Sequence, residues 1–307
     1  MTLSQASADT EFVAVRHLKK SYDDITAVED LTFAVKPGEI IGLIGPNGAG
    51  KSSTIKIILD FIKPDSGAVE VFGRPMSAAS KNRIGYLPEE KGLYKDLAAI
   101  DQIRYLASLK GMDPAVAEER GDRLLELTGM LENRKTKIKN MSKGMSQIIQ
   151  FIVTIVHDPD LLILDEPFSG LDPVNTDIMK KIIADLRDAG KAIILSTHQM
   201  NQVEALCDRI LMINDGREVF YGKLQDVQAR FRKKTVQVAV DGELGAIPGV
   251  VAKRLSNGSY ELLPPPDVSA QMILDQLRAR GTVINRFEIT TPSLNEIFLK
   301  IAREEDE

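Results

Sequence analysis

The sequence predicts an α/β fold with a mostly parallel core sheet, followed by a smaller α+β domain. Continuous apolar runs at residues 161–164 and 192–195 have the length of strands that are buried on both faces, as in parallel sheets. Residues 100–131 show helical periodicity between two strand patterns, which indicates a helical insertion. Residues 234–307 contain further short strand and helix patterns, and a length of 307 residues allows this second domain.

The composition is that of a folded protein with a moderate negative charge. Hydrophobic residues make up 43% of the chain, and the net charge of −5 argues against a nucleic-acid partner bound by bulk electrostatic attraction. The single cysteine, Cys207, rules out an internal disulfide and favours a cytoplasmic compartment. The longest apolar runs, near residues 148–156 and 161–164, are shorter than a membrane-spanning helix. We therefore expect a chain that does not cross a membrane but can bind a partner that does.

The amino-terminal part contains strand patterns at residues 12–18, 31–35, 68–71 and 84–87. Turn-forming residues separate the first two strands, and Tyr22 lies in that predicted turn. An aromatic ring in such a place can stack on a nucleotide base or pack at the sheet edge. Both interpretations of Tyr22 remain open at this point.

A glycine-rich loop joins the apolar run 40–44 to the helical pattern 54–61. Its glycines allow a tight turn in which successive N–H groups point into one concavity sized for phosphates. The following helix brings its positive dipole end there, Lys51 adds a charge, and Ser52 offers a hydroxyl to Mg²⁺ on the β and γ phosphates. We therefore predict that the loop binds a nucleoside triphosphate. Its residues are Gly45, Pro46, Asn47, Gly48, Ala49, Gly50, Lys51, Ser52 and Ser53.

Two polar segments flank the predicted helical insertion, which spans about residues 92–156. Before the insertion, Glu89 lies in a loop where its carboxylate can reach a metal or remain solvated. Near its end, Ser142 precedes the apolar helix pattern 148–156 and can cap that helix. The hydroxyl and the exposed N–H groups at this helix start can also receive an anion, and the two roles are compatible.

Acidic residues follow the apolar run at residues 161–164. Asp165 and Glu166 come at its carboxyl end, which is the ligand-binding edge of parallel sheets. Asp165 can hold Mg²⁺ through its water shell, and Glu166 can orient or deprotonate the water that attacks the γ-phosphate. Adjacent carboxylates at the end of a buried strand are costly unless a cation or hydrogen-bond partners compensate them. This pattern favours a functional site over a purely structural one.

A histidine follows the next apolar run at the same predicted edge. Residues 169–173 form a turn into a helix that Gly190 ends, and the run 192–195 is followed by His198. A lone histidine is more often structural than catalytic. Beside the two carboxylates, we interpret His198 as a phosphate contact. Residues 209–214 and 217–221 predict a hairpin around a short turn.

The order of these motifs resembles that of the nucleotide-binding subunit of ABC transporters, over residues 11–225. The resemblance implies a P-loop NTPase fold with a mostly parallel core sheet, an antiparallel β subdomain and a helical insertion. It implies ATP and Mg²⁺ as ligands and assigns a role to each matching residue. The implied catalytic residues are Glu166 and His198; the nucleotide contacts are Tyr22, the loop from Gly45 to Ser53, Ser142, Gly144 and Asp172; and the metal contacts are Ser52, Glu89 and Asp165.

The chain departs from the usual family pattern at two places. Glu89 stands where a neutral glutamine is usual, and the signature segment around Ser142 has Met141, Lys143 and Met145 in place of leucine, glycine and glutamine. The signature segment, together with the Leu-Pro-Glu-Glu sequence that contains Glu89, resembles that of the NatA-like ATPases of sodium, drug and polysaccharide exporters. That subgroup tends to carry a carboxyl-terminal accessory domain.

The accessory domain is predicted at residues 226–307, with a linker at about 226–234. The predicted strands lie at residues 235–240, 250–255, 259–263 and 283–289, and the predicted helices at 268–280 and 293–303. No catalytic constellation is recognisable in this part of the sequence.

In the family, ATP lies between two such subunits, with the phosphate loop of one facing the signature segment of the other. The resemblance therefore implies a motor subunit that dimerises with itself or with a homologous subunit, hydrolyses ATP, and drives a separate membrane permease from the cytoplasmic face. The exporter direction rests on the subgroup resemblance alone.

Other classes of protein share part of this pattern. A soluble ABC-type ATPase of translation, repair or regulation would have the same site. The translation type usually carries two such domains, and the repair type needs long heptad-rich arms. A P-loop kinase or small GTPase would share the glycine loop without needing Ser142 or His198. A non-hydrolysing regulatory module is disfavoured by Glu166.

Overall fold

The computed structural model describes residues 11–90, 92–230, 235–265, 267–290, 294, 296 and 297. The chain divides into two units, Met1–Leu224 and Gln225–Glu307. The strands are β1 (Val13–Tyr22), β2 (Ile25–Val35), β3 (Ile40–Ile44), β4 (Ser66–Val71), β5 (Ile84–Leu87), β6 (Leu161–Asp165), β7 (Ala192–Ser196), β8 (Arg209–Asn214), β9 (Arg217–Lys223), β10 (Thr235–Val240), β11 (Val251–Arg254), β12 (Tyr260–Leu263) and β13 (Ile284–Thr290). The α-helices are α1 (Lys51–Ile58), α2 (Ala78–Asn82), α3 (Ala99–Leu109), α4 (Pro114–Leu127), α5 (Lys143–Ile155), α6 (Pro173–Asp188), α7 (Met200–Leu206), α8 (Leu224–Arg230) and α9 (Ala270–Ala279).

The centre of the first unit is a six-stranded sheet in the order β5-β6-β7-β3-β8-β9. Strands β5, β6, β7, β3 and β8 run parallel, and β9 is antiparallel to β8. Every residue of β3, β6 and β7 is buried, as their continuous apolar sequences predict. Because parallel strands end at the same edge, the residues after β3, β6 and β7 come together there. The predicted α/β fold with a parallel core is confirmed.

A three-stranded antiparallel sheet, in the order β2-β1-β4, packs on this core. Val13 and Leu31 of this sheet share one buried cluster with Ile163 and Leu211 of the central sheet. The predicted turn between the first two strands is confirmed at residues 23 and 24, and Tyr22 lies directly before it as the last residue of β1, paired with Ile25. Backbone pairing continues past the apolar part of the hairpin, since ladder hydrogen bonds do not require apolar side chains.

The helical insertion consists of α3, α4 and α5 around its own buried cluster, which includes Ile103, Leu125, Ile149 and Ile152. In the sequence, a capping residue followed by proline at positions 113 and 114 predicts a helix start, and α4 begins there. Asp113 caps α4, with its Oδ1 accepting hydrogen bonds from the N–H groups of the second and third residues that follow it, at 2.9 and 3.3 Å. The insertion therefore has a core of its own.

The second unit contains a four-stranded antiparallel sheet in the order β11-β12-β10-β13, with α9 in the same unit. Its buried cluster includes Val236, Leu262, Ile273 and Leu277. Of the predicted last helix, residues 294, 296 and 297 are helical, and the rest lies outside the described residues, as do residues 231–234 of the predicted linker. Within the described part of the chain, no helix is long and apolar enough to span a membrane.

The core of the insertion gives a stability prediction. Leu125 is fully buried in α4, and we expect Leu125→Ala to lower the free energy of unfolding by about 2–5 kcal/mol, because it leaves a cavity among packed aliphatic side chains. Leu127, two residues further along α4, is 56% exposed, and Leu127→Ala should change that free energy by less than about 0.5 kcal/mol. Urea unfolding of both variants measures the difference. Equal losses would contradict the assignment of a separate insertion core.

Candidate functional site

A cavity of about 410 Å³ opens at the carboxyl edge of the central sheet. It brings together the loop after β3, the start of α1, the loop after β5 and the ends of β6 and β7. Its lining residues are Ala27, Asn47, Gly48, Gly50, Lys51, Ser52, Ser53, Glu89, Asp165, Glu166 and His198. The edge predicted from the strand patterns is therefore the place where the acidic residues, the lysine and the histidine meet.

The glycine loop is held tightly against neighbouring backbone. Gly45 has φ 154°, and a Cβ there would lie 2.1 Å from the carbonyl oxygen of Ile213. Gly50, the N-cap of α1, has φ 105°, and a Cβ there would lie 2.2 Å from the carbonyl oxygen of Ala27. A side chain at either position would force the loop away from these carbonyls. Glycine is therefore required for the path that places the first turn of α1 at the cavity.

Lys51 lies under the loop with its ammonium group bound to loop backbone. Its Nζ donates hydrogen bonds to the carbonyl oxygens of Gly45 and Pro46, at 2.8 and 2.9 Å. Burial lowers the pKa of Lys51, while the charges of Glu166, Asp165 and Glu89 act to raise it. This places a cation in the cavity at the point where the loop turns into α1.

Asp165 is a buried carboxylate, only 6% exposed, at the end of β6. Burial raises its pKa most, and the charges of Glu89 and Glu166 raise it further, while the Ser196 hydroxyl and the charge of Lys51 oppose this. Three carboxylates thus face one lysine in the cavity wall. A cation bound among them would favour the charged form of Asp165.

Glu166 is held in one orientation by three hydrogen bonds. Its Oε2 accepts from Thr197 Oγ1 at 3.0 Å, and its Oε1 lies 2.9 Å from the backbone N of His198 and 2.7 Å from His198 Nδ1. The backbone of Glu166 has φ 47°, a left-handed conformation that costs a residue with a side chain about 1–3 kcal/mol. This conformation turns the chain sharply at the end of β6. Its side chain is 11% exposed and that of His198 is 60% exposed, so the histidine forms the solvent side of the pair.

The residues present fit a Mg²⁺ ion. Magnesium prefers oxygen ligands and usually keeps several waters and substrate phosphates in its shell. Ser52 offers a hydroxyl, and Glu89 and Asp165 offer carboxylates, on the wall of one cavity. No group of three His, Cys, Asp or Glu side chains within the described ranges could hold a metal by itself. This set suits an ion shared with bound phosphates.

Seven of the predicted nucleotide contacts do not line the cavity, and four of these lie outside the glycine loop. Tyr22 is 42% exposed at the end of β1. Ser142 caps α5, its Oγ accepting from the N–H of Met145 at 3.1 Å, and Gly144 lies in the first turn of that helix. Asp172 caps α6, its Oδ1 accepting from the N–H of Asn175 at 2.9 Å. The predicted capping role of Ser142 is confirmed, and the structure does not bring Ser142 to the phosphate loop of its own chain.

The remaining residues of the glycine loop do not line the cavity but contact the residues that do. Gly45 and Pro46 bind Lys51 through their carbonyl oxygens, and Ala49 is buried, with its N–H donating to Pro46 O at 3.3 Å. The residues 45–53 thus act as one unit, of which Asn47, Gly48 and the stretch 50–53 face the cavity.

Sequence reasoning missed several residues that act on the site. Thr197 directly precedes His198 and donates a hydrogen bond to Glu166, but a threonine after a strand gives no sequence signal of such a contact. Gln147 and Gln150 donate to the loops around Glu166 and Glu89. The sequence signal for both contacts was the presence of two glutamines within the otherwise apolar pattern of α5. Ala27 lines the cavity from the antiparallel sheet, which no sequence pattern indicates.

The fold and the glycine loop between β3 and α1 define a P-loop NTPase. The family described as "ABC transporter" matches residues 28–169, and the family described as "ATP-binding protein DrrA1-3-like, C-terminal domain" matches residues 222–302. The first match contains the glycine loop, Glu89, Asp165 and Glu166 but ends before His198, and the second covers most of the second unit.

Individual proteins agree with this assignment. The chain is 37% identical to the Uncharacterized ABC transporter ATP-binding protein YhaQ of Bacillus subtilis, over 94% of this chain and 97% of the relative. It is 33% identical to the Linearmycin resistance ATP-binding protein LnrL of the same species, over 93% and 96%. A solved structure, "Structure of ATP binding subunit of ABC transporter", shares 32% identity with a TM-score of 0.67, over 72% of this chain and 93% of that one. The chain belongs to the family of ABC transporter ATP-binding proteins and carries a DrrA-like carboxyl-terminal domain.

Lys51 gives a direct prediction for ligand binding. We expect Lys51→Ala to weaken Mg-ATP binding by about tenfold or more, because a charge-assisted hydrogen bond to a phosphate contributes about 1.5–3 kcal/mol. Lys56→Ala is the matched control, since Lys56 is exposed on the same helix and does not line the cavity. Isothermal titration calorimetry measures both affinities, with circular dichroism as the check on folding. An unchanged affinity of a folded Lys51→Ala chain would remove Lys51 from the binding site.

Proposed function

We propose that the chain is the ATP-hydrolysing motor subunit of an ABC exporter of the NatA-like subgroup. One observation carries this proposal: Glu166 is fixed by Thr197 and His198 in the cavity that the glycine loop forms. A carboxylate held in this way beside a phosphate-binding loop suits a base for hydrolysis rather than a site that only binds nucleotide.

In the proposed mechanism, the residues of the chain hold the triphosphate and prepare the attacking water. Lys51 and the N–H groups of the loop bind the β and γ phosphates. Ser52, Glu89 and Asp165 would hold Mg²⁺, which would supply positive charge beside these phosphates. Glu166 accepts a hydrogen bond from the water and takes its proton. His198 contacts the γ-phosphate from the solvent side and keeps the Glu166 carboxylate oriented.

Two copies of the chain, or this chain and a homologous subunit, complete the site. Ser142 is exposed and stands at the positive end of α5, a place that favours an anion. Because Ser142, Gly144 and Asp172 do not line the cavity of their own chain, we place them over the triphosphate bound by the other chain. Tyr22 is placed beside the adenine of its own chain's nucleotide. ATP then joins the two chains, and hydrolysis releases them.

The partner that uses this motion is a separate integral membrane permease. The proposed motor comprises residues 11–225, and the accessory domain comprises residues 226–307. Membership of a transporter family supports the permease, and the linearmycin resistance role named for LnrL supports export. The chain would then lie at the cytoplasmic face of the membrane as a peripheral subunit. No nucleic acid is required for any of these steps.

Neutralising the proposed base tests the paired arrangement. We expect Glu166→Gln to keep Mg-ATP binding, to lose at least about a hundredfold in hydrolysis rate, and to accumulate as a nucleotide-bound dimer. Size-exclusion chromatography with light scattering, with and without Mg-ATP, measures the dimer. The double variant Lys51→Ala/Glu166→Gln is the control and should form less dimer at a Mg-ATP concentration near the affinity of the single variant, because it holds the nucleotide more weakly. Hydrolysis by Glu166→Gln at the wild-type rate would show that Glu166 is not the base.

A further inference from the structure

One face of α5 carries a line of buried polar side chains that the proposed mechanism does not use. Gln147, Gln150 and Thr154 follow one another at spacings of three and four residues, so they lie on the same side of the helix. They are 3%, 4% and 5% exposed. Amide side chains are seldom buried to this extent unless their hydrogen bonds are made. Their partners therefore indicate what this face of the helix does.

Gln150 binds the loop that carries Glu89 at two points. Its Nε2 donates to the carbonyl oxygen of Pro88 at 3.0 Å and to that of Glu90 at 3.2 Å. These are the residues on either side of Glu89, so one amide group spans it. The Oε1 of Gln150 is buried and has no hydrogen-bond partner among the described residues. An unsatisfied acceptor destabilises the fold, which points to a function for the amide beyond filling space.

Gln147 makes the corresponding contact on the other acidic loop. Its Nε2 donates to the carbonyl oxygen of Pro167 at 3.0 Å, and Pro167 directly follows Glu166. Thr154, in contrast, contacts backbone away from both loops, because its Oγ1 donates to Gln150 O at 2.8 Å and lies 3.4 Å from Tyr86 O in β5. The two glutamines thus bind the loops that contribute Glu166 and Glu89 to the cavity wall, and the threonine lies next to β5.

The opposite side of α5 fixes the helix in the insertion. Ile148, Ile149 and Ile152 belong to the buried cluster that joins α5 to α3 and α4. Ser142 caps α5 directly before its first residue, and Gln147 and Gln150 follow it within about two turns. Close packing of the opposite face makes α5 suited to transmit a displacement along its length.

We propose that Gln150, together with Gln147, is a positioning residue that couples the placement of Ser142 to the placement of Glu89 and Glu166 in the same chain. The inference rests on the proposed function, in which Ser142 covers the triphosphate held by the other chain. Contact of Ser142 with that triphosphate fixes the position of α5. Through Gln147 and Gln150, α5 then positions the two loops, and the loops position Glu89 and Glu166 in the chain's own site. The two sites of the dimer are thereby linked through one helix in each chain.

The test replaces the amide without changing its size. Gln150→Met removes the donor, and we expect kcat for ATP to fall on the order of tenfold to a hundredfold, because a small misplacement of catalytic groups has effects of this size. The Mg-ATP affinity of the single chain should stay within about twofold, since Gln150 does not line the cavity. Thr154→Val is the matched control, with similar burial one turn away, and it should retain the wild-type kcat.

A double variant separates positioning from a general loss of structure. If Gln150 acts through the Glu89 loop, Gln150→Met/Glu89→Ala should be no slower than Glu89→Ala alone, whereas independent losses would multiply. Multiplying losses, or a wild-type kcat in Gln150→Met, would overturn the inference. If Glu166→Gln still forms its dimer while Gln150→Met is fully active, only this inference fails. A wild-type chain that hydrolyses no ATP would overturn the proposed function, and this inference with it.

Discussion

The site depends on two carboxylates held at the end of a strand that is buried along its whole length. Asp165 and Glu166 end β6 in a place where burial disfavours charge, and the surrounding groups offset this in different ways. At Glu166, hydrogen bonds from Thr197 and His198 offset the cost of burying the charge. At Asp165, the charge of Lys51 offsets part of this cost, and the charges of Glu89 and Glu166 add to it. The electrostatics therefore divide the pair into an oriented carboxylate and one that favours a cation.

The parallel sheet makes this arrangement possible. Residues far apart in the sequence, on the loops after β3, β5, β6 and β7, reach one cavity because these strands end at the same edge. The helical insertion also contacts two of those loops, because α5 donates hydrogen bonds to them through Gln147 and Gln150. Ser142 caps the same helix, so in the proposed dimer the contact with the other chain's triphosphate and the support of the site would involve one element.

The sequence predicted those parts of the structure that local patterns determine. The bounds of β5 and β10 agree with the predicted ranges 84–87 and 235–240, and the Asp113 cap was predicted because a cap followed by proline is a local signal. The turn itself was predicted, but Tyr22 was assigned to it rather than to the end of β1, because the apolar pattern ends before the strand pairing does. The glutamine contacts of α5 depend on tertiary packing, which a single sequence does not contain.

The central claim is that each triphosphate lies between the glycine loop of one chain and the Ser142 segment of the other. Mixing two inactive variants, Lys51→Ala and Ser142→Asp, tests it most directly; aspartate preserves the helix cap and adds a charge that repels phosphate. A mixed dimer would contain one site with both parts intact. The account predicts that the mixture hydrolyses ATP faster than the sum of the two separate variants but more slowly than half the wild-type rate, because the intact glycine loop belongs to the chain whose own Ser142 is replaced. A rate no higher than that sum, from chains shown to have formed mixed dimers, would contradict it.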